Sequence, residues 1–169
     1  ENVTLSSILS LKLVDGAGET AKPITTKVFL DRINASAPNE LVRSLSDSFL
    51  FGIHAQNVNE PFLILKTGYY QNAFAGMLAW ESTLEEDLGA IFIPPSPTEY
   101  ASPNDLILDR SNSFVDILVK NRDTRALKNS EGQIVFLYSF PDKNTIVITT
   151  NADTLQKITD RLFAERLVQ

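Results

Sequence analysis

Apolar and polar positions alternate or recur with enough regularity along this chain to mark most of its elements. Residues 8–14 read as a strand, closed by the turn Asp15-Gly16-Ala17-Gly18. Thr25 or Thr26 is placed to cap a helix with Val28, Phe29 and Ile33 on one side, and Ala37-Pro38-Asn39 opens a second short helix carrying Leu41, Val42 and Leu45. Two aromatic and aliphatic runs, 49–56 and 62–67, flank Asn57-Val58-Asn59-Glu60-Pro61 and predict a hairpin. Between about Tyr69 and Phe92, the residues Ala73, Met77, Trp80, Leu84, Leu88 and Ile91 recur at steps of three and four, which predicts one long amphipathic helix.

Four of the eight prolines, Pro94, Pro95, Pro97 and Pro103, fall in 94–105, so that segment is expected to be a non-helical crossover. We read 1–169 as a single domain with this Pro-rich crossover inside it; the alternative is two subdomains, of which the 64 residues after Asp105 would have a thin core. Beyond it, 114–119 and 125–128 read as one bent strand interrupted at Asn121-Arg122-Asp123. Turns at 129–132 and 141–144 then set off strands over 133–140 and 145–150, an antiparallel meander. Asn151 or Asp153 caps a last helix with Leu155, Ile158 and Leu162 inward. The expected order is β-α-α-β-β-α-β-β-β-α. The fold class is α+β, a largely antiparallel sheet with helices packed on one face.

Composition narrows the chemistry. A net charge of −6 argues against nucleic acid, which draws its affinity from Lys and Arg neutralising phosphates. With no Cys, disulfides, thiolate metal sites and cysteine nucleophiles are excluded. No apolar run approaches the roughly 20 residues that cross a bilayer. Glu1 in the place of an initiator Met points to a segment upstream, a removed signal peptide or anchor or else a trimmed tag or neighbouring domain.

No catalytic residue, cofactor motif or metal-ligand set emerges. His54, the sole histidine, alternates with Gln56 opposite Phe51 and Ile53, and is expected to face solvent rather than serve a triad. Glu81, Glu85, Glu86 and Asp87 fall toward the end of the predicted long helix, where the macrodipole disfavours negative charge. They form either a solvated acidic face or one met by Arg or Lys, a hard cation or a protein. Lys120, Arg122, Arg125 and Lys128 put four cations into nine positions, read either as edge-strand protection or as a dock for an acidic surface. In 68–81, Gly76 marks close packing against another backbone, and Tyr69, Tyr70 and Trp80 are either core or hot-spot aromatics.

The run 62–66, the segment Ala73-Phe74-Ala75-Gly76-Met77-Leu78-Ala79-Trp80-Glu81 and the ending Ile146-Val147-Ile148-Thr149-Thr150-Asn151 together resemble uncharacterised single-pass membrane proteins of candidate-phylum bacteria. The resemblance covers most of the chain from about Phe49 onward. It implies an N-terminal anchor and a globular domain on the extracytoplasmic side of a cell envelope, with no assigned activity. The expected function is accordingly a non-enzymatic binding or assembly domain of a bacterial envelope protein. It would meet a protein partner or a second copy through Tyr69, Tyr70, Trp80, Glu81, Lys120, Arg122 and Arg125, and would touch the membrane only through a segment outside this chain. The alternative is a carboxylate-dependent hydrolase of envelope glycans using Glu81 with Asp105, Asp109 or Asp116. A phage capsid or tail component is a third possibility.

Overall fold

A computed structural model describes residues 7–55, 59–92 and 113–167. The chain forms an α+β fold around one antiparallel seven-stranded sheet, with five helices among the described residues. The strands are β1 (Ser7–Leu11), β4 (Leu45–Ala55), β5 (Asn59–Thr67), β6 (Phe114–Val119), β7 (Arg122–Lys128), β8 (Ile134–Asp142) and β9 (Thr145–Thr149). Their order across the sheet is β1-β4-β5-β9-β8-β7-β6, and every neighbouring pair is antiparallel. A two-stranded ribbon, β2 (Val14–Asp15) with β3 (Lys22–Pro23), precedes the helices.

The helices are α1 (Thr26–Arg32), α2 (Asn39–Ser44), α3 (Tyr70–Trp80), α4 (Leu84–Phe92) and α5 (Ala152–Leu167). Thr25 caps α1 by accepting from the Val28 amide, and Asn151 caps α5 by accepting from the amides of Asp153 and Thr154. Strands β4 and β5 form the expected hairpin, with Phe51 opposite Leu63.

Alternation along β5 divides the core in two. Leu63 and Leu65 pack with Phe29, Leu41, Met77, Trp80 and Leu88 from α1 to α4, whereas Phe62 and Ile64 pack with Leu155 and Ile158 of α5. The sheet is therefore helix-covered on both faces, four helices on one and α5 on the other. The unbroken apolar run Phe62-Leu63-Ile64-Leu65 has this physical meaning: a strand apolar on both sides needs cover on both.

Helices cover both faces of the sheet rather than the one face expected, and two elements also differ from the sequence expectation. The helix predicted over 69–92 is broken at 81–83 into α3 and α4, because the Thr83 hydroxyl bonds Asp87 Oδ2 and the Asp87 amide bonds the Thr83 carbonyl, starting a new helix there. The predicted bent strand is instead a hairpin. Val119 pairs with Arg122 around a two-residue turn in which Lys120 (φ 49°) and Asn121 (φ 63°) are both left-handed, the geometry of a type I′ connection. The crossover expected over 94–105 lies outside the described residues. No helix among the described residues is long and apolar enough to cross a membrane.

Candidate functional site: the outer face of α3

Helix α3 carries no charged residue. Its inner face presents Ala73, Gly76, Met77 and Trp80, all buried. Gly76 rests directly on α2: a Cβ there would stand 2.5 Å from Leu41 Cβ and 2.9 Å from Leu41 Cα, so the expected close approach to another backbone is present. The outer face is largely apolar, with the polar residues Gln71 and Asn72 exposed in its first turn. Tyr70, Phe74 and Leu78, at steps of four, are 36%, 39% and 39% exposed, and Ala75 and Ala79 beside them are exposed as well. Phe140 of β8 meets Tyr70 edge-on at 5.3 Å and Phe74 at 5.7 Å, and the Tyr70 and Phe74 rings lie 5.9 Å apart. Tyr69, 69% exposed, begins the helix and lines a polar cleft of about 520 Å³ with Asn39, Glu40, Arg43, Ser44 and Asn72.

Of the expected site residues, Tyr69 and Tyr70 lie on this surface; Trp80 and Glu81 do not. Trp80 is fully buried, and its indole Nε1 donates to Asp87 Oδ2 at 2.6 Å, an oxygen that also accepts from Thr83 and the Ser36 amide. Glu81 ends α3 turned toward the sheet. Its Oε1 accepts from Arg125 Nε and from the Tyr138 hydroxyl, each at 2.7 Å, and its Oε2 accepts from Arg125 Nη2 at 2.7 Å. Arg125 also donates to Asp116 Oδ1 and to the Phe114 carbonyl. The fork is thus committed inside the fold. Hydrogen bonding to Glu81, against an opposing effect of burial, holds the Arg125 guanidinium pKa above its ordinary value. Burial first, then the bond to Glu81, raises that of the Tyr138 hydroxyl.

The four-cation cluster does not form one dock. Arg125 is spent on Glu81, while Arg122 lies over the Phe163 ring of α5 at 4.5 Å. Lys120 sits in the hairpin turn, and Lys128 ends β7, which is interior because β6 forms the sheet edge. Edge protection therefore does not describe them. The acidic cluster is also placed differently from expectation. Glu85, Glu86 and Asp87 occupy the first turn of α4, where the macrodipole favours negative charge, and burial raises the Glu85 pKa.

His54 is buried rather than solvent-facing. Alternation put it on the correct side of β4, but α5 covers that side, and Nδ1 lies 2.9 Å from the Thr154 hydroxyl. Burial, followed by the nearby Lys157 charge, lowers its pKa, against smaller opposing effects of Glu60 and Asp153. Glu81 and Asp116 do meet, at the Arg125 guanidinium, with Asp116 89% exposed. Asp105 and Asp109 lie outside the described residues. No group of three or more His, Cys, Asp or Glu able to hold a metal ion occurs among the described residues.

Sequence reasoning missed Phe74, Leu78 and Phe140. The signal was available for two of them: Phe74 and Leu78 fall outside the Ala73, Met77 and Trp80 stripe, so packing that stripe leaves them on the outer side of the helix. Comparison of the chain with protein-family models, with curated proteins and with solved structures found no match.

Proposed function

We propose that this chain is a non-enzymatic assembly domain of a bacterial envelope protein, displayed outside the membrane, in which two copies meet through the outer faces of α3. The observation that carries the assembly reading is the uncharged, apolar outer face of Tyr70, Phe74, Ala75, Leu78 and Ala79 on a helix whose inner face is already packed. In a chain of net charge −6, two copies repel over most of their surfaces, and a face without charge is where they can approach without that cost. Such a face is also self-complementary, as a two-fold contact requires. The small side chains of Ala75 and Ala79 leave room beside Phe74 and Leu78 for a facing helix. The envelope location rests on the resemblance of 62–66, 73–81 and 146–151 to anchored extracytoplasmic domains.

The face of one helix with its flanking rings is smaller than the roughly 800 Å² per partner of a standard interface, so the dimer is expected to be weak. Sedimentation between about 1 µM and about 500 µM, a range spanning weak association, tests it. Wild-type protein should pass from monomer to dimer, and the Phe74→Glu, Leu78→Lys double variant should remain monomeric and folded, with a loss of about 1 kcal/mol for the ring contacts of Phe74 with Tyr70 and Phe140. Monomer at every wild-type concentration would reject self-assembly, and crosslinking of α3 to a different protein in the source cell would replace the second copy as occupant.

A further inference from the structure

The two edges of the sheet, β1 and β6, are built differently. A strand at an edge turns a row of backbone N–H and C=O groups outward, and proteins commonly guard that row with a charge, a proline or a bulge. Strand β6 carries the exposed charge of Asp116. Strand β1, Ser7-Ile8-Leu9-Ser10-Leu11, carries no charge and no proline, and it pairs with β4 residue for residue without a bulge. Among the described residues, no backbone bond reaches 7–11 from any element other than β4. Strand β1 is thus the unguarded edge.

Its side chains are apolar on both sides of the sheet. Leu9 and Leu11, 55% and 44% exposed, stand opposite Ile53 and Phe51 on the four-helix face, while Ile8 stands opposite His54 on the α5 face. A further strand along the open row would set its own side chains beside Leu9 and Leu11 on one face and beside Ile8 on the other. Their exposed apolar surface would then leave water.

We propose that β1 of one copy pairs antiparallel with β1 of a second copy, joining two sheets into one across a two-fold axis. An extended backbone is the occupant that satisfies a row of alternating donors and acceptors. A second copy fits it for two reasons. In a chain of net charge −6, the uncharged β1 brings no like charges face to face. The register also closes on itself. Residues opposite each other in an antiparallel pair share a sheet face, so across the two-fold axis each residue must face its own equivalent or one an even number of positions away. Centring on Leu9 is the register that meets this condition and uses all of β1: Leu9 faces Leu9, Ile8 faces Ser10 and Ser7 faces Leu11. Leu9 and Leu11 of both copies then form one apolar row on the four-helix face. So short a seam falls well below the roughly 800 Å² per partner of a standard interface, so the pairing is transient between free copies and the α3-defective variant still sediments as a monomer. Two separate two-fold contacts on each copy would extend assembly from pairs to rows. That extension rests on the α3 contact, whereas the β1 pairing does not.

The chain has no cysteine of its own, so a single introduced cysteine reports the seam directly. In the Phe74→Glu, Leu78→Lys background, which removes the α3 contact, Leu9→Cys and Leu11→Cys proteins at about 500 µM are oxidised and their covalent dimers followed over time. Facing Cα atoms about 4.5–5.5 Å apart lie within the span of a disulfide, whereas the two copies of residue 11 stand four positions, roughly 13 Å, apart. Leu9→Cys should therefore crosslink about tenfold faster than Leu11→Cys, although both positions are exposed on the same face. Adding Ser10→Lys, an exposed edge lysine of the kind that guards natural strands, should remove that excess. Equal rates at positions 9 and 11, no covalent dimer at position 9, or an excess that survives Ser10→Lys would each overturn the pairing. Crosslinking at position 9 together with a wild-type chain that sediments as a monomer would support the β1 seam and reject the α3 contact alone.

Discussion

The sheet face beneath α1 to α4 buries Trp80, Phe92, Phe136 and Tyr138, whereas the face beneath α5 buries Phe62 alongside the polar side chains of His54, Thr124, Ser139, Thr149 and Thr154. Four helices can seal one side of a seven-stranded sheet, and large side chains fill the space between. A single helix cannot seal the other side, and short polar groups there find partners close at hand. Ser139 donates to the Asp123 carbonyl, Thr149 to the Pro61 carbonyl and Thr124 to the Arg122 carbonyl. Openings remain on both flanks of α5. One is an apolar groove of about 130 Å³ lined by Ile8, Leu50, Phe62 and Ile64 with α5, and the other is the polar cavity at Lys120 and Arg122. Recesses thus open on both flanks of α5 down to the sheet, whereas on the other face the cleft of about 520 Å³ at Tyr69 lies within the helix layer, between α2 and α3.

The contrast is sharpest at the partly buried ion pair of Glu81 with Arg125 beneath the four helices. Glu81→Ala leaves Arg125 partly buried opposite Asp116 alone and strands the Tyr138 hydroxyl, at an expected cost of about 3 kcal/mol, the lower end for removing one partner of a buried pair. Urea unfolding would check this; a loss below about 1 kcal/mol, typical of exposed pairs, would mean that the network is no tighter than surface charge.

A smaller loss is expected at the α2–α3 contact. Gly76→Ala adds a methyl group where Leu41 already stands, so overpacking of about 1–3 kcal/mol should outweigh the roughly 1 kcal/mol gained in helix propensity. A variant more stable than wild type would show that α2 yields easily and that this face is looser than its packing implies.

The smallest effect belongs to the α5 face and to pH. His54 has its pKa lowered below 6.5 by burial under α5, so between its folded and unfolded values the unfolded chain binds more protons. Stability contributed by neutral His54 is complete above that ordinary value and falls as pH drops through it. Burial is the largest cause; of the facing charges, Lys157 adds to the shift and Glu60 and Asp153 oppose it. A wild-type urea midpoint that declines from about pH 7.5 to about pH 5.5, and flattens in His54→Gln, would fit the only histidine of the chain. An unchanged slope in the variant would assign the decline to carboxylates.

Much of this architecture was legible before any coordinates. The hairpin of β4 and β5, the meander of β8 and β9, the caps at Thr25 and Asn151 and the tight seat of Gly76 follow from local pattern and turn chemistry. The break between α3 and α4 was missed because Trp80, Leu84 and Leu88 keep helical spacing across it, although Thr83-Leu84-Glu85-Glu86 has the form of a capping box. The β6–β7 turn was missed because Lys120-Asn121 lacks the glycine that usually marks a two-residue hairpin. At the candidate site, the exposed Tyr69 and Tyr70 could be named from sequence, but Trp80, Glu81 and Arg125 could not be told apart from them.

The sequence by itself determined the α+β class, most of the elements and the apolar periodicity that assigns each strand residue to one side, because those depend on neighbours a few positions away. Only the tertiary structure decided which sides are covered and which charges remain available. The Glu81–Arg125 pair joins residues 44 positions apart, and the His54–Thr154 contact joins residues 100 apart. Whether a charged or polar side chain is buried with a partner or left facing solvent is settled by such distant contacts, which local pattern does not encode.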